Sequence, residues 1–314
     1  MIVCSTMRMY FFLAALIVSG LTLSGCSESV RKVHPQITDT PDYSKYGKFD
    51  DDSSLVRKTP EELITAGFAY LAAGNGTLAR LHFVTALKRE PESAWAYVGL
   101  GDLSYLQGDY PSAQANYQRA TELDEENLSA LLGQARSLRQ RGKVGASAEY
   151  LNQALKLAPN DVRVLTELAI NYDLQGQENL AAPLYQEIAS KAPDQASSYN
   201  NIGVSQLTQG HYAEAIIQFS KAFMINEKNE RITNNLAMAF ALYGQEDQAL
   251  KLFKKTVGEA AAWNNLGYLY MTQGRYDDAE RALHKAMELN PKYYEKAREN
   301  LERLEQQRFL SKRP

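Results

Sequence analysis

Few residues in this 314-residue chain are of the types that carry chemistry, and they lie far apart. Both cysteines, Cys4 and Cys26, fall in the first tenth of the sequence. The rest of the chain has no thiol for a disulfide, a metal site or a catalytic nucleophile. Sulfur chemistry is therefore confined to the N-terminal end, where Cys26 closes a short apolar run.

The four histidines give no enzyme signature. His34 lies in a polar segment, His82 and His284 lie on predicted helices, and His211 lies in a predicted turn. None is spaced for a metal or paired with a nucleophile. The Gly-Leu-Gly at 99–101 follows no predicted strand, so it does not indicate a dinucleotide loop. We therefore predict no catalytic residue, no metal site, no cofactor and no enzyme activity.

The charge balance gives no sign of a nucleic-acid partner. The chain has 34 basic and 37 acidic residues, a formal net charge of -3, and no long block of either sign. Such a mixture does not produce the basic field that attracts nucleic acid. The 45% of apolar residues instead predict a chain that buries a sizeable core.

Residues 1–25 have the layout of a secretory signal peptide. Arg8 supplies the positive charge at the start of such a peptide. A short apolar segment follows at residues 10–18, and a cleavage site with small residues lies at 23–25. A membrane span needs about 20 apolar residues, and polar or small residues interrupt this run too early. The stretch therefore predicts an export signal rather than a transmembrane anchor.

The Leu-Ser-Gly-Cys at 23–26 resembles the bacterial lipobox. The resemblance implies cleavage before Cys26 and acylation of its thiol and its new amine. Several acyl chains on one residue anchor a protein stably. Ser27, in place of an aspartate, implies the periplasmic side of the outer membrane. Residues 26–59 show no helical or strand periodicity and predict a lipidated flexible tether.

The remaining sequence is a repeat with a period of 34 residues. Seven glycines mark it, and all steps are 34 residues except the last, which is 30. They are Gly74, Gly108, Gly142, Gly176, Gly210, Gly244 and Gly274. With each glycine at position 15, the seven units are 60–93, 94–127, 128–161, 162–195, 196–229, 230–259 and 260–293. A fixed period of this length is typical of a solenoid.

Each unit predicts two antiparallel helices. Apolar positions 4, 7, 8 and 11 form one helical stripe, and positions 17, 20, 24, 27 and 28 form another. Small residues at positions 8 and 20 bring the two helices together, and a large residue at position 24 fills the space between them. With WNNLGYLY at 263–270, the array resembles tetratricopeptide repeats. The expected fold is an all-α superhelical solenoid of seven helix pairs, with a capping helix and tail at 294–314. The sixth unit has only 30 residues, so its second helix or the turn after it is expected to be shorter.

The first helices of units five to seven predict a peptide-binding groove. Position 6 is asparagine in all three, and apolar residues occupy positions 9 and 13 nearby. We call this predicted set the asparagine groove: Asn201, Val204, Asn235, Met238, Leu242, Asn265 and Tyr268. The earlier units offer a mixed set instead: Trp95, Asp102, Arg136 and Arg163. The asparagines are equally compatible with a role in packing between repeats.

The lipobox, the tether, the six or seven repeats and the sequences at 231–253 and 261–291 resemble the TadD family of Tad/Flp pilus assembly lipoproteins. The resemblance implies a pilotin-like protein-interaction scaffold that helps an outer-membrane secretin localise or assemble. Its partners would be a secretin or another pilus-assembly component and the membrane, through the lipid anchor. Two alternatives stay open: a pilotin of another type IV pilus or secretion system, and an adaptor that recruits cell-wall hydrolases.

Overall fold

The structure is a computed structural model that describes residues 57–290 and 294–311. The signal peptide at 1–25, the lipidation site Cys26, most of the tether at 26–59 and the last three residues of the seventh unit lie outside the described residues. The described part contains fifteen helices and no strand. They are α1 (Pro60–Ala72), α2 (Gly76–Arg89), α3 (Ala94–Leu106), α4 (Tyr110–Leu123), α5 (Leu128–Gln140), α6 (Val144–Leu157), α7 (Val162–Leu174), α8 (Glu178–Lys191), α9 (Ala196–Thr208), α10 (Tyr212–Ile225), α11 (Glu230–Tyr243), α12 (Glu246–Val257), α13 (Glu259–Thr272), α14 (Tyr276–Leu289) and α15 (Tyr294–Ser311).

These helices form seven consecutive pairs followed by one further helix, which confirms the expected all-α architecture. They divide into two compact units. The N-terminal unit contains α1–α8 and ends at Ala192, and the C-terminal unit contains α9–α15 and begins at Pro193. In each unit every helix packs on the next one in the chain. One pair cannot bury its own apolar face, so neighbouring pairs stack to share a core.

The seven predicted turn glycines end the first helix of each pair. All seven have a positive φ, between 69° and 90°. In the first turn, the Gly74 and Asn75 amides donate to the carbonyls of Leu71 and Tyr70, which satisfies the last carbonyls of α1. Glycine takes this conformation without a Cβ clash, and this requirement explains the 34-residue glycine spacing.

Small residues at position 8 make room for the large residue at position 24, as predicted. A Cβ atom built on Gly67 would lie 2.5 Å from the Phe83 ring, which is fully buried. The glycine Gly99 of the next unit closes the other side of the same ring at 2.3 Å. Tyr117 is held in the same way between Gly101 and Gly133. Each ring therefore fills a space bounded by two glycine-bearing helices.

The sixth unit is shorter in both of the places that the sequence indicated. Its second helix, α12, has 12 residues, whereas α10 and α14 each have 14. Gly258 alone connects α12 to α13, with φ 81° and ψ 169°. This extended conformation with positive φ is open to glycine almost exclusively. Gly258 is therefore the residue that permits the 30-residue repeat.

Candidate peptide-binding surface

The asparagine pairs of the C-terminal unit make hydrogen bonds between successive first helices. Asn235 Nδ2 on α11 donates to Asn200 Oδ1 on α9, with 2.8 Å between the two atoms. The same kind of bond joins the last pair to the final helix, where Asn300 Nδ2 on α15 donates to Asn264 Oδ1 on α13 at 3.0 Å. The donor and acceptor are 35 residues apart in the first bond and 36 in the second. The first bond therefore joins the first helices of two successive repeats. The second joins the first helix of the last repeat to the final helix, which takes the place of a further first helix.

This series of bonds is interrupted at the short sixth unit. By its place in the repeat, Asn265 corresponds to Asn235, and its expected acceptor is Asn234. Asn234 Oδ1 instead accepts a hydrogen bond from Thr256 Oγ1 of α12, at 2.5 Å. The Asn265 side chain is fully buried, and neither of its polar atoms has a hydrogen-bond partner within the described residues. An amide buried to this degree does not reach an extended ligand without rearrangement of its neighbours.

The other members of the asparagine groove differ in how accessible they are. Met238 and Leu242 are buried in the core of the C-terminal unit, with 6% and 8% of their surface exposed. Asn201 is 8% exposed, whereas Asn235, Val204 and Tyr268 are half-buried. Burial raises the pKa of the Tyr268 hydroxyl, and the nearby positive charge of Arg303 opposes this rise. Asn235, Val204 and Tyr268 are thus the members that a ligand reaches most readily, and the assignment of all seven to a ligand stays a prediction.

The corresponding region of the N-terminal unit contains a buried charge cluster. Arg139 on α5 pairs with Glu167 on α7, with 2.5 Å between Nη2 and Oε2, and both side chains are 2% exposed. Arg136 lies 3.9 Å from both Glu167 and Asp102. Tyr117 donates a hydrogen bond to Asp102 at 2.5 Å. The four formal charges cancel, so this cluster presents no net charge to a ligand.

Electrostatics keeps Arg136 of this cluster positively charged despite its burial. Burial alone would lower the pKa of Arg136, but the facing Tyr117, Glu167 and Asp102 outweigh it and raise that pKa above its ordinary value. A buried ion pair contributes little net stability, yet removal of one partner leaves a costly uncompensated charge. The cluster therefore fixes the relative placement of α3, α5 and α7.

The two remaining residues of the mixed set, Trp95 and Arg163, make their contacts outside this cluster. Trp95 is 47% exposed and meets the Phe68 ring edge-on, with the ring centroids 6.4 Å apart. Arg163 pairs with Asp161 at the start of α7, at 2.6 Å. The structure therefore brings Asp102 and Arg136 together in one cluster and places Trp95 and Arg163 in separate local contacts.

Three residues that form the asparagine bonds were missed by the sequence prediction. Asn200 and Asn264 precede the predicted asparagines directly, so the doublets at 200–201 and 264–265 were a visible signal. Asn300 lies in a polar helix outside the repeats and gave no such signal. Sequence spacing alone does not say which of two adjacent asparagines faces the neighbouring helix.

The described residues contain neither a metal-ligand cluster nor a membrane-spanning helix. No group of three or more His, Cys, Asp or Glu side chains within 57–290 and 294–311 is arranged to hold a metal ion. None of the helices α1–α15 combines the length and the apolar character needed to cross a bilayer.

Family models described as tetratricopeptide repeat match residues 65–113, 107–162, 196–229 and 260–293, just over half of the chain. The chain belongs to the tetratricopeptide-repeat family. Among solved structures, a tetratricopeptide repeat protein from Parabacteroides merdae matches with a TM-score of 0.55 and 18% identity, covering 78% of this chain and 98% of that one. This likeness supports the fold.

Curated tetratricopeptide-repeat relatives match part of their own length. Human tetratricopeptide repeat protein 6 is 25% identical over 180 residues, which cover 54% of this chain and 34% of that protein. The human mitochondrial import receptor subunit TOM70 is 22% identical over 223 residues, covering 68% of this chain and 37% of that protein. The chain thus spans about a third of the length of each of these two relatives. What is shared is the repeat array.

Proposed function

We propose that this protein is a lipid-anchored, periplasm-facing scaffold that helps an outer-membrane secretin of a Tad/Flp pilus localise or assemble. As a tetratricopeptide-repeat protein it is a protein-protein interaction scaffold. The observation that carries the finer proposal is Leu-Ser-Gly-Cys at 23–26, placed ahead of the repeat array. Acyl chains on Cys26 supply the anchor.

The repeat array supplies the surface for the partner. First helices of neighbouring repeats pack about 8 to 10 Å apart, and an extended peptide advances about 3.3 Å per residue. A ligand lying across them therefore meets equivalent positions about every third residue. The amide of Asn235 offers both a donor and an acceptor to a peptide group, and Val204 and Tyr268 offer apolar contacts. The partner segment is thus an extended stretch of the secretin or of another assembly component.

The anchor is tested by Cys26→Ser in the native host. We expect an unprocessed precursor, loss of the protein from outer-membrane fractions and fewer assembled secretin multimers. Ser27→Asp is the matched control, because it keeps the cysteine and is expected to leave a processed lipoprotein at the inner membrane. Normal maturation and fractionation of Cys26→Ser would show that the lipoprotein assignment is wrong.

The partner surface is tested by binding of the purified protein to the periplasmic part of the secretin. Replacing Asn201 and Asn235 by Ala removes two side-chain amides, at roughly 0.5 to 1.5 kcal/mol for each bond lost. Affinity is then expected to fall by roughly fivefold to a hundredfold. Asn152→Ala, at an exposed site on α6, is the control.

Two outcomes would redirect this proposal. If the double variant binds normally while substitution of the exposed Trp95 abolishes binding, the partner occupies the N-terminal unit. If the protein captures a cell-wall hydrolase and leaves the secretin unbound, it is an adaptor of the wall machinery.

A further inference from the structure

The second helices of the C-terminal unit carry basic residues at the middle of their outward face, with exposed acidic residues such as Asp247 and Asp277 one turn nearer the helix N-terminus. In each of these helices a fully buried residue occupies position 24: Phe219, Phe253 or Leu283. Residues two before and two after it lie about 160° to 200° around the helix and point away from the core. These six residues are Ile217, Lys221, Lys251, Lys255, Arg281 and Lys285. Five of the six are basic and all six are exposed, and we call this set the basic band.

Part of this charge is not neutralised by neighbouring carboxylates. Arg281 pairs with Asp278, and Lys285 pairs with Glu288 at 3.0 Å. The other three members, Lys221, Lys251 and Lys255, form no ion pair with any residue in the described ranges 57–290 and 294–311. Within these ranges no carboxylate neutralises their charges at ion-pair distance.

Aromatic rings and exposed apolar side chains lie beside these lysines. The Lys221 ammonium lies 5.5 Å from the centroid of the Tyr199 ring, and that of Lys255 lies 5.4 Å from the Phe223 ring. On α10, Ile217 is 54% exposed and Met224 is 71% exposed, four residues before and three residues after Lys221. These spacings place both apolar side chains on the same face as the lysine. The surface thus combines positive charge with apolar groups that are open to solvent.

The fold itself does not require this band, as the same positions in the N-terminal unit show. There, the residues two before and two after position 24 include one basic and two acidic side chains. They are Leu81, Thr85, Ala115, Arg119, Glu149, Gln153, Pro183 and Glu187. The two units share one repeat geometry, so the difference lies in the surface each presents and not in packing.

We propose that the basic band docks on an anionic phospholipid surface, with Ile217 and Met224 at the headgroup level. Four of its five basic residues are lysines, which are flexible point charges suited to a fluid array of phosphates. Lysine is depleted at protein-protein interfaces, where arginine is preferred, so the composition favours lipid over an acidic protein. A basic face beside apolar side chains is the pattern of proteins that lie on a membrane surface. The proposal deepens the proposed function, because the acyl chains would hold the protein at the surface that the band then contacts.

The test uses the chain from residue 27 onward, made without acyl chains, and measures its co-flotation with vesicles. Vesicles with one third phosphatidylglycerol are expected to bind it, and pure phosphatidylcholine vesicles are not. High salt should release the protein, since exposed charges are screened. Replacing Lys221, Lys251 and Lys255 by Glu should lower binding to anionic vesicles at least tenfold.

A matched control variant carries the same charge change on second helices of the other unit. Lys88, Arg119 and Lys156 are all exposed there, and replacing them by Glu should leave vesicle binding within about twofold of the wild type. Circular dichroism of both triple variants checks that they remain folded.

Two results would overturn the membrane proposal. One is equal binding to neutral and anionic vesicles, or no effect of the Lys221, Lys251 and Lys255 changes. The other is loss of secretin binding in that variant with unchanged vesicle binding, which would assign the band to an acidic protein. The protein in this test carries no acyl chain, so a lack of vesicle binding would not contradict the proposed acylation of Cys26. Conversely, a finding that Cys26 is not acylated would not change the vesicle result.

Discussion

Individual asparagines differ in what their side chains do, although they occupy equivalent places in the repeat. Asn235 is bonded to the neighbouring repeat, whereas Asn265 is fully buried with both polar atoms unpaired among the described residues. An unpaired buried amide carries its desolvation cost with no bond to offset it. The same residue type is therefore stabilising at one position and costly at the other.

Substitution should lower stability at Asn235 and should not lower it at Asn265. Asn235→Ala leaves Asn200 without this donor and is expected to lower the free energy of unfolding by roughly 0.5 to 1.5 kcal/mol. Asn265→Leu replaces an unpaired amide by a side chain of similar volume and should be neutral or stabilising. Urea denaturation followed by circular dichroism measures both. A large loss of stability in Asn265→Leu would mean that this amide is bonded in solution, with Asn234 as the nearest expected acceptor.

The buried Tyr185 hydroxyl predicts a loss of stability at alkaline pH. Burial, together with Asp173, which accepts its hydrogen bond at 2.7 Å, raises the pKa of Tyr185 well above its ordinary value of 10.0. Above pH 10 the unfolded chain releases this proton while the folded chain retains it. The contribution of Tyr185 to the free energy of unfolding is therefore fully present below pH 10 and declines above it. Each pH unit costs up to about 1.4 kcal/mol. Tyr185→Phe should therefore flatten this decline.

The measurement is the free energy of unfolding between pH 8 and pH 11, where the slope and not the absolute value is diagnostic. Tyr243→Phe, at a tyrosine that is 52% exposed, is the control and should keep the wild-type slope. Identical slopes for wild type and Tyr185→Phe would mean that Tyr185 does not hold its proton in this way.

At the scale of the helices, the glycine spacing was sufficient to predict the pairs and the short sixth unit. Glycine marks the ends of these helices because it adopts a positive φ with little strain. The position of a helix end can therefore be predicted from one residue and its immediate neighbours. The hydrogen bonds between asparagine side chains could not be predicted from the sequence, because they depend on how far each repeat is rotated relative to the one before it. The sequence therefore placed Asn265 correctly on its helix but not relative to the surface.

The connection at Gly258 is expected to be the most sensitive point of the C-terminal unit. Gly258→Ala introduces a Cβ at φ 81° and ψ 169°, which should cost roughly 1 to 3 kcal/mol. Gly145→Ala on α6 is the control, because its added Cβ meets no atom within 4 Å and alanine favours a helix. Thermal melts should shift down for the first and slightly up for the second. If both variants melt alike, Gly258 does not hold this conformation in solution.

At the scale of the whole chain, the two compact units each have their own core. The large cluster of the C-terminal unit includes Phe219 and Phe253, and the clusters of the N-terminal unit include Phe83 and Leu151. Repeat proteins are stabilised by contacts between neighbours, so a local weakness spreads only along the array. The units are therefore expected to respond separately to damage in one of them.

Hydrogen exchange tests this expectation, because it measures the protection of backbone amides separately in each helix. In Gly258→Ala, backbone amides of α11–α14 should exchange faster, because they open with the weakened connection. Amides of α1–α6 should keep their wild-type protection, and those of Gly145→Ala should show no loss anywhere. Faster exchange throughout α1–α14 would show that the chain opens as one cooperative body.

The rings held between paired glycines also have a consequence for how this sequence can diverge. Phe83 lies against Gly67 of its own repeat and Gly99 of the next, and Tyr117 lies against Gly101 and Gly133 in the same way. A side chain at either glycine would collide with the ring where it now lies, so the ring must move or shrink when a glycine is replaced. The sixth unit shows such a replacement, because Ala237 and Asn265 occupy the corresponding positions and Phe253 is still fully buried. Related sequences are therefore expected to change these glycines together with the placement of the ring, as a coupled set that crosses the boundary between adjacent repeats.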